Sequence, residues 1–203
     1  MKSAIGLFFS LTVLYSISLF GAAPDTVRDD STGVTFPSDV SFNYEGKDYK
    51  LEATGVATRS KFFAKIYSVA HYLQDAAQVQ QSDAFNIILQ DDKAKQLSIK
   101  WVRALEPQKI VQGYRDSFNK TLSADEQRAL GSHIEEYLGF FNESVKKGDE
   151  TQIRWIPGGH ILVFFNGEQV GHLHDPAFAK ALWNIWFSDD GVVKRDHLVS
   201  LLK

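Results

Sequence analysis

Cysteine is absent from the 203 residues of this chain. The protein therefore has no disulfide bonds, no thiol catalysis and no thiolate metal site, even if it works where disulfides are permitted. A block of lysine or arginine is also missing, and 22 basic residues against 25 acidic ones give a net charge of −3. This is not the charge balance of a nucleic-acid-binding protein, so we expect no nucleic-acid partner.

Common catalytic and nucleotide-binding motifs are missing too. The sequence has no HExxH, GxSxG, Walker A or GxGxxG pattern, so hydrolase and nucleotide-binding functions have no motif to support them. His172 and His174 lie two residues apart, and His160 precedes them on a neighbouring strand, which suggests a metal site. Histidines at strand edges are commonly solvated instead, and we predict no metal and no cofactor.

The first 23 residues have the order of a secretory signal peptide. A basic start is followed by a mostly apolar run from Ala4 to Ala23, with small residues at its end. The run is also long enough for an uncleaved membrane anchor, which is the alternative. We predict a signal peptide over residues 1–23, a flexible leader over 24–33 and one domain over 34–203. The mature protein would be periplasmic or secreted, without stable membrane insertion.

Several short segments are typical of β-strands. Apolar and polar residues alternate in parts of residues 34–58, and a long strand is predicted from about Lys61 to Leu73. LSIKWV, residues 97 to 102, follows the same pattern. Later in the chain Asn166-Gly167 joins two apolar segments and is a strong two-residue hairpin signal.

Helices are predicted between and after these strands. Ser123 and Glu126 form a capping box, and an apolar stripe from Leu130 to Val145 indicates one helix that ends near Gly148. A second amphipathic helix, AFAKALWNIWF, follows Pro176. Strands, helices, strands and helices in this order indicate an α+β fold with an antiparallel sheet.

The stretch RSKFFAKIY, residues 59 to 67, repeats cations at every second position beside aromatic residues. In a regular strand residues 59, 61, 63, 65 and 67 would share one face. That face could be a wet sheet surface whose cations discourage edge pairing. Alternatively, Arg59 could bind a planar anion through two parallel hydrogen bonds, with Tyr67 donating a third. The residues alone leave both alternatives open.

Aromatic residues are numerous, with fifteen phenylalanines and four tryptophans. They imply either large core layers or a cavity lined by aromatic rings. Trp183 and Trp186 lie on one predicted helix and are most simply core residues. Their position near the C-terminal end leaves a role in a pocket wall open.

The chain beyond the leader resembles the chalcone isomerase-like family. The resemblance lies in the order and spacing of several segments: GVTFP at 33–37, RSKFFAKIY and AHYL within 59–73, KKGD at 146–149, and PGG, NG, VG and ALWNIWF within 157–187. Membership implies an open-faced β-sandwich, in which a large antiparallel sheet carries a helical layer on one face. A ligand cleft would lie between the sheet and the helices.

The resemblance also implies where site residues fall. Plant chalcone isomerases use an arginine, a strand threonine, a helix tyrosine and a late polar residue; these positions correspond to Arg59, Tyr67, the neighbourhood of Lys109, and Ile185. The arginine is therefore kept, while most of the hydroxyl groups that orient the substrate are not. A plastid branch of the superfamily resembles a fatty-acid carrier whose arginine and tyrosine hold the carboxylate.

We therefore expect a non-catalytic binder of a small amphiphilic anion such as a fatty acid. The predicted ligand-binding residues are Arg59, Tyr67, Lys109 and Trp186, with no catalytic residue and no metal. One alternative is a cofactor-independent isomerase or lyase of the chalcone isomerase type. Another is a structural or interaction scaffold whose cleft is filled.

Overall fold

A computed structural model describes residues 25–203. The strands are β1 (Thr26–Arg28), β2 (Thr35–Pro37), β3 (Asp39–Tyr44), β4 (Lys47–Lys61), β5 (Ala64–Gln74), β6 (Lys95–Trp101), β7 (Glu150–Ile156), β8 (His160–Phe165) and β9 (Glu168–His174). The helices are α1 (Ala84–Ile88), α2 (Pro107–Thr121), α3 (Ala124–Ala129), α4 (Gly131–Gly139) and α5 (Pro176–Phe187), with short 3₁₀ segments at Ala76–Gln78, Gln81–Asp83 and Arg195–Val199. The predicted signal peptide lies outside the described residues.

Strands β3 to β9 form a single seven-stranded sheet in sequence order, and every neighbouring pair is antiparallel. Helices α2, α3 and α4 are inserted between β6 and β7, and α5 follows β9. The predicted α+β class with a large antiparallel sheet is confirmed. Within residues 25–203 no helix is both long and apolar enough to cross a bilayer.

Two apolar clusters lie on opposite faces of this sheet. The larger one joins the sheet to α2, α4 and α5, and it includes Trp101, Tyr114, Tyr137, Leu182 and Trp186. The smaller one includes Phe36, Tyr49, Leu51, Tyr72 and Leu162. The sheet is curled, so that the Tyr44 hydroxyl of β3 lies 3.3 Å from Nδ1 of His160 on β8.

Residues 25–33, which were predicted to form most of a flexible leader, belong instead to the folded domain. β1 pairs antiparallel with β2, which joins Val27 to Phe36. Asp29 is buried, and its carboxylate accepts a hydrogen bond from the Thr58 hydroxyl of β4. Residues distant in sequence hold this polar segment in place, so the composition of the segment alone does not show that it is folded.

The predicted strand from Lys61 to Leu73 is also corrected. β4 ends at Lys61, β5 begins at Ala64, and Phe62 takes a left-handed backbone conformation with φ of 55° between them. RSKFFAKIY is therefore a hairpin with Phe62 and Phe63 at its tip. Two-residue hairpin loops normally carry Asn-Gly or a similar pair, and the absence of such a pair hid this turn.

The helical predictions succeed where local chemistry sets the ends. The Ser123–Glu126 capping box is formed, and the Asp175 carboxylate accepts a hydrogen bond from the Phe178 amide at the start of α5. The helix predicted to reach Gly148 ends at Gly139 instead. Val145 leaves the helix because its backbone pairs with Leu105 in an isolated antiparallel bridge.

Candidate ligand site at Arg59

Arg59 and Tyr67 lie directly opposite each other on β4 and β5. They were expected on one face of a single strand, but the hairpin makes them cross-strand neighbours. The guanidinium carbon lies 5.7 Å from the centre of the Tyr67 ring, within the distance at which a cation is attracted to an aromatic face. Antiparallel pairing therefore holds the two predicted donors side by side.

A cavity of about 130 Å³ opens beside this pair. Strands β4, β5 and β6 form one wall, and α2 together with the segment before it forms the other. Its lining residues are Arg59, Lys61, Ile66, Tyr67, Trp101, Leu105, Lys109, Ile110, Gly113 and Tyr114. Three of the four predicted ligand-binding residues are thus brought to one cavity, and Trp186 is not among its lining residues.

Arg59 is half-buried at the edge of the cavity. Its Nη2 donates a long hydrogen bond of 3.5 Å to the backbone carbonyl of Gly113 on α2. A Cβ atom at Gly113 would lie 3.6 Å from Nη2 of Arg59, which is ordinary van der Waals contact, so the guanidinium packs directly against this turn of the helix. Among residues 25–203 this long contact is the hydrogen bond that the guanidinium makes, so most of its five N–H donors have no partner there and can bind an anion.

Tyr67 is closed to bulk solvent, at 2% exposure, although it lines the cavity. Its hydroxyl oxygen accepts a hydrogen bond of 2.9 Å from the indole N–H of Trp186. In the described part of the chain the hydroxyl has no acceptor for its own hydrogen. A phenol can donate and accept at once, so Tyr67 keeps a donor available for a ligand.

Trp186 lies behind Tyr67 on α5 and is fully buried. It was predicted as a pocket residue, and the structure instead places it where it orients the Tyr67 hydroxyl. Its ring lies 6.2 Å from that of Tyr114, edge to face. Trp186 is therefore a positioning residue for the candidate site.

Positive charge surrounds the mouth of the cavity. Lys109, in the first turn of α2, is exposed at the rim, and Lys61 also lines the opening. Lys61 Nζ lies 3.6 Å from the Asp116 carboxylate in an exposed pair. The residues that line this opening include three cations and no carboxylate, which favours an anionic ligand.

Tyr114 was missed as a site residue. The sequence predicts it as part of the apolar stripe of α2, between Ile110 and Phe118, and it is indeed buried. It nevertheless lines the cavity, and burial raises the pKa of its hydroxyl, so the phenol stays neutral. A tyrosine within an otherwise aliphatic and phenylalanine stripe is the signal that could have identified it.

A larger cavity of about 330 Å³ lies between the end of α4 and strands β7 to β9. Its lining residues are Gly139, Phe140, Phe141, Asn142, Glu143, Val145, Thr151, Val163, Phe165, Glu168, Gln169 and Val170. These residues include two carboxylates and no cation. The smaller cavity at Arg59 is therefore the better candidate for an anion, despite its size.

The three histidines considered for a metal site do come together. His160 Nδ1 lies 3.2 Å from His172 Nε2, and the rings of His160 and His174 are stacked 4.0 Å apart. Burial, together with the two neighbouring imidazoles, lowers the pKa of His160. No group of three or more potential ligand side chains in residues 25–203 is arranged to hold a metal ion.

The sheet, the helical layer on one face and the cavity between them define the class of protein. The sequence model of chalcone isomerase-like proteins matches residues 28–196, so the chain belongs to the chalcone isomerase-like family. No curated protein matches the sequence.

Among solved structures, the crystal structure of a fatty-acid binding protein from Arabidopsis thaliana is similar. The TM-score is 0.69 at 14% sequence identity, and the alignment covers 87% of this chain and 97% of that chain. At this level of identity the likeness shows a shared fold alone.

Proposed function

We propose that the protein binds a small amphiphilic carboxylate, such as a fatty acid, in the Arg59 cavity without changing it chemically. The pairing of Arg59 with Tyr67 carries this proposal. Within the described part of the chain the guanidinium makes one long hydrogen bond, and the Tyr67 hydroxyl has no acceptor for its hydrogen. A carboxylate is a planar anion that matches both donors. The description of the structural neighbour as a fatty-acid binding protein agrees with this choice.

The size of the cavity limits how much of the ligand it holds. About 130 Å³ is slightly less than the roughly 150 Å³ of an engineered cavity that binds benzene. The carboxylate would pair with Arg59 at the edge of the cavity, and its first few carbons would lie inside, against Tyr114 and Trp101. A longer tail would run along the mouth, over the half-buried side chains of Ile66 and Leu105.

Calorimetric titration with straight-chain carboxylic acids of increasing length tests this function. Affinity should rise by about fourfold for each buried methylene, and then level off once the cavity is filled. The matched alcohols are the control, because they carry the same tail without the charge. Equal affinities for acids and alcohols would contradict a carboxylate site, as would no binding at any length.

A cofactor-independent isomerase or lyase of the chalcone isomerase type has less support. The ten lining residues include no carboxylate and no imidazole, which are the usual general bases for abstracting a proton from a substrate. Ile185, at the position of the late polar residue, is fully buried in the core and does not line the cavity.

A scaffold function is favoured by one observation. Aromatic rings pack on one another between the sheet and the helices, and Tyr114 lies edge to face with Tyr137 with ring centres 5.2 Å apart. Native mass spectrometry of the purified protein separates the two proposals. A co-purified amphiphile lost in Arg59→Ala supports the binder, and a ligand-free spectrum with no binding in the titrations supports the scaffold.

We propose in addition that the protein is exported, on the basis of the apolar leader over residues 1–23. Intact-mass measurement on protein from the native host should find a chain that starts near residues 22–24, outside the cytoplasm. Retention of Met1 in a membrane fraction would indicate an anchor instead.

A further inference from the structure

The tip of the β4–β5 hairpin exposes two adjacent phenylalanines. Phe62 is 91% exposed and Phe63 105%, so neither ring packs against the protein. Isolated exposed apolar residues are common on protein surfaces, but two neighbouring rings left almost entirely in water are not. The pair forms a small convex apolar surface, which we name the Phe62–Phe63 tip.

The backbone at this tip is poorly suited to its residue. Phe62 has φ of 55°, a left-handed conformation that glycine and asparagine adopt readily and that a bulky side chain adopts at a cost. A glycine here would relieve strain and remove an exposed ring. Local rules of this kind are broken mainly at functional sites.

Cations flank the tip on both strands. Lys61 and Lys65 lie on either side of it, and Arg59 and Lys109 follow at the mouth of the cavity. Asp116 contacts Lys61 at 3.6 Å, and Lys65 Nζ donates to the backbone carbonyl of Ser31. The surroundings of the tip are therefore positive on balance.

We propose that the Phe62–Phe63 tip docks on lipid bilayers that contain anionic lipids. The two rings would enter the boundary between head groups and acyl chains, and Lys61 and Lys65 would contact the head groups. Because Lys61 also lines the Arg59 cavity, docking would turn the cavity mouth towards the membrane. Docking on the membrane does not depend on whether the cavity binds a ligand. A role in transferring an amphiphile from the membrane to the cavity rests on the proposed function.

A bilayer fits this surface better than a protein does. Two phenylalanine side chains offer roughly 300–500 Å², whereas a standard protein interface buries about 800 Å² on each partner. A convex tip also lacks the surrounding flat area that would make up the difference. A fluid lipid surface needs no matching shape, and its negative charge complements the lysines.

Vesicle sedimentation tests the docking. The protein is purified from the soluble fraction of cells that express the full chain, and it is mixed with phosphatidylcholine vesicles with or without phosphatidylglycerol. The wild type should sediment mainly with the anionic vesicles, and less so at high salt. Phe62→Gly/Phe63→Ser should weaken this binding by at least about tenfold, and Lys65→Gln should weaken it less.

Leu201→Ser is the matched control, because Leu201 is a half-exposed apolar residue away from the tip. It should leave vesicle binding unchanged. Phe62→Gly alone should bind vesicles more weakly while its thermal midpoint stays equal to or above that of the wild type, which separates lost docking from lost folding.

Equal vesicle binding by the double variant and the wild type would overturn the proposal. A double variant that differs from the wild type only in self-association, measured by size-exclusion chromatography, would also overturn it. Neither result would affect the titrations of soluble carboxylates that test the Arg59 cavity.

Discussion

Trp186 donates its indole N–H to the hydroxyl oxygen of Tyr67 at 2.9 Å, although the two residues are 119 positions apart in sequence. The bond holds the hydroxyl in place, and among residues 25–203 no acceptor takes the hydrogen of that hydroxyl. A donor that is already polarised by accepting a hydrogen bond is a better donor to a carboxylate. A buried core tryptophan thus contributes to the candidate site without lining it.

Substitution of Tyr67 should weaken ligand binding more than substitution of Trp186. Tyr67→Phe deletes the donor and should reduce affinity for a carboxylate by about tenfold or more, as for a hydrogen bond to a charged group. Trp186→Phe keeps the hydroxyl but not its orientation, so its effect should be smaller. The double variant should resemble Tyr67→Phe, because the two residues act together. Calorimetric titration checks this, and additive losses would show that they act independently.

Arg59 should carry the largest share of carboxylate affinity. A charge-assisted bidentate contact is worth roughly 1.5–3 kcal/mol net, so Arg59→Ala should weaken binding by about 10- to 150-fold. Arg59→Lys should recover part of the loss, because an ammonium lacks the planar fork. Lys65→Ala, outside the cavity, is the matched control for lost charge. If Arg59→Ala is folded by circular dichroism and its affinity is unchanged, residues 59–67 form only a solvated sheet face and not an anion site.

Chalcone cyclisation should be absent. Ile185 cannot donate or accept a hydrogen bond and is buried away from the cavity, while Lys109 at the rim carries donors and no acceptor. Each lost orienting contact typically reduces the rate by on the order of 10²-fold. Absorbance decay of a chalcone with and without protein measures the rate. An enzyme-dependent rate well above background that disappears in Arg59→Ala would show that the cavity is catalytic.

Stability should fall in acid because of His71. Its ring is fully buried, and this burial, with Lys95 nearby, holds its pKa well below 6.5. Its Nδ1 lies 2.7 Å from the Thr54 hydroxyl, while Nε2 lies 3.4 Å from the Trp183 indole nitrogen. The unfolded chain takes up a proton at this residue below about pH 6.5, whereas the folded chain does not.

The free energy of unfolding should therefore decrease as pH falls below about 6.5, by up to about 1.4 kcal/mol per pH unit from this group. His160, whose pKa is also lowered, contributes in the same direction. Urea denaturation from pH 7 to about pH 5 measures the slope. His71→Gln should be less stable overall but less sensitive to pH, and the exposed His197→Gln is the matched control. Parallel pH profiles for the wild type and His71→Gln would contradict the assignment.

The sequence by itself determined the features that depend on local chemistry. The Ser123–Glu126 capping box, the Asn166-Gly167 hairpin and the helix that follows Asp175 are formed where the sequence predicts them, because each depends on residues within a few positions of one another. The alternation of strand and helix patterns, together with the family resemblance, was enough for the fold class. Arg59 was singled out because it lies in a stretch of alternating cations, and the family resemblance gave it the role of an anion anchor.

Tertiary structure alone decided how these parts meet. Phe62 and Phe63 form a turn because pairing between β4 and β5 over many residues outweighs a poor turn sequence. That pairing sets Arg59 beside Tyr67, and packing of α5 on the sheet brings Trp186 behind them. Tyr114 joins the site in the same way, because nothing within its helix tells a core position from a cavity wall. Such contacts join residues far apart in sequence, and only the energy of the assembled core selects them.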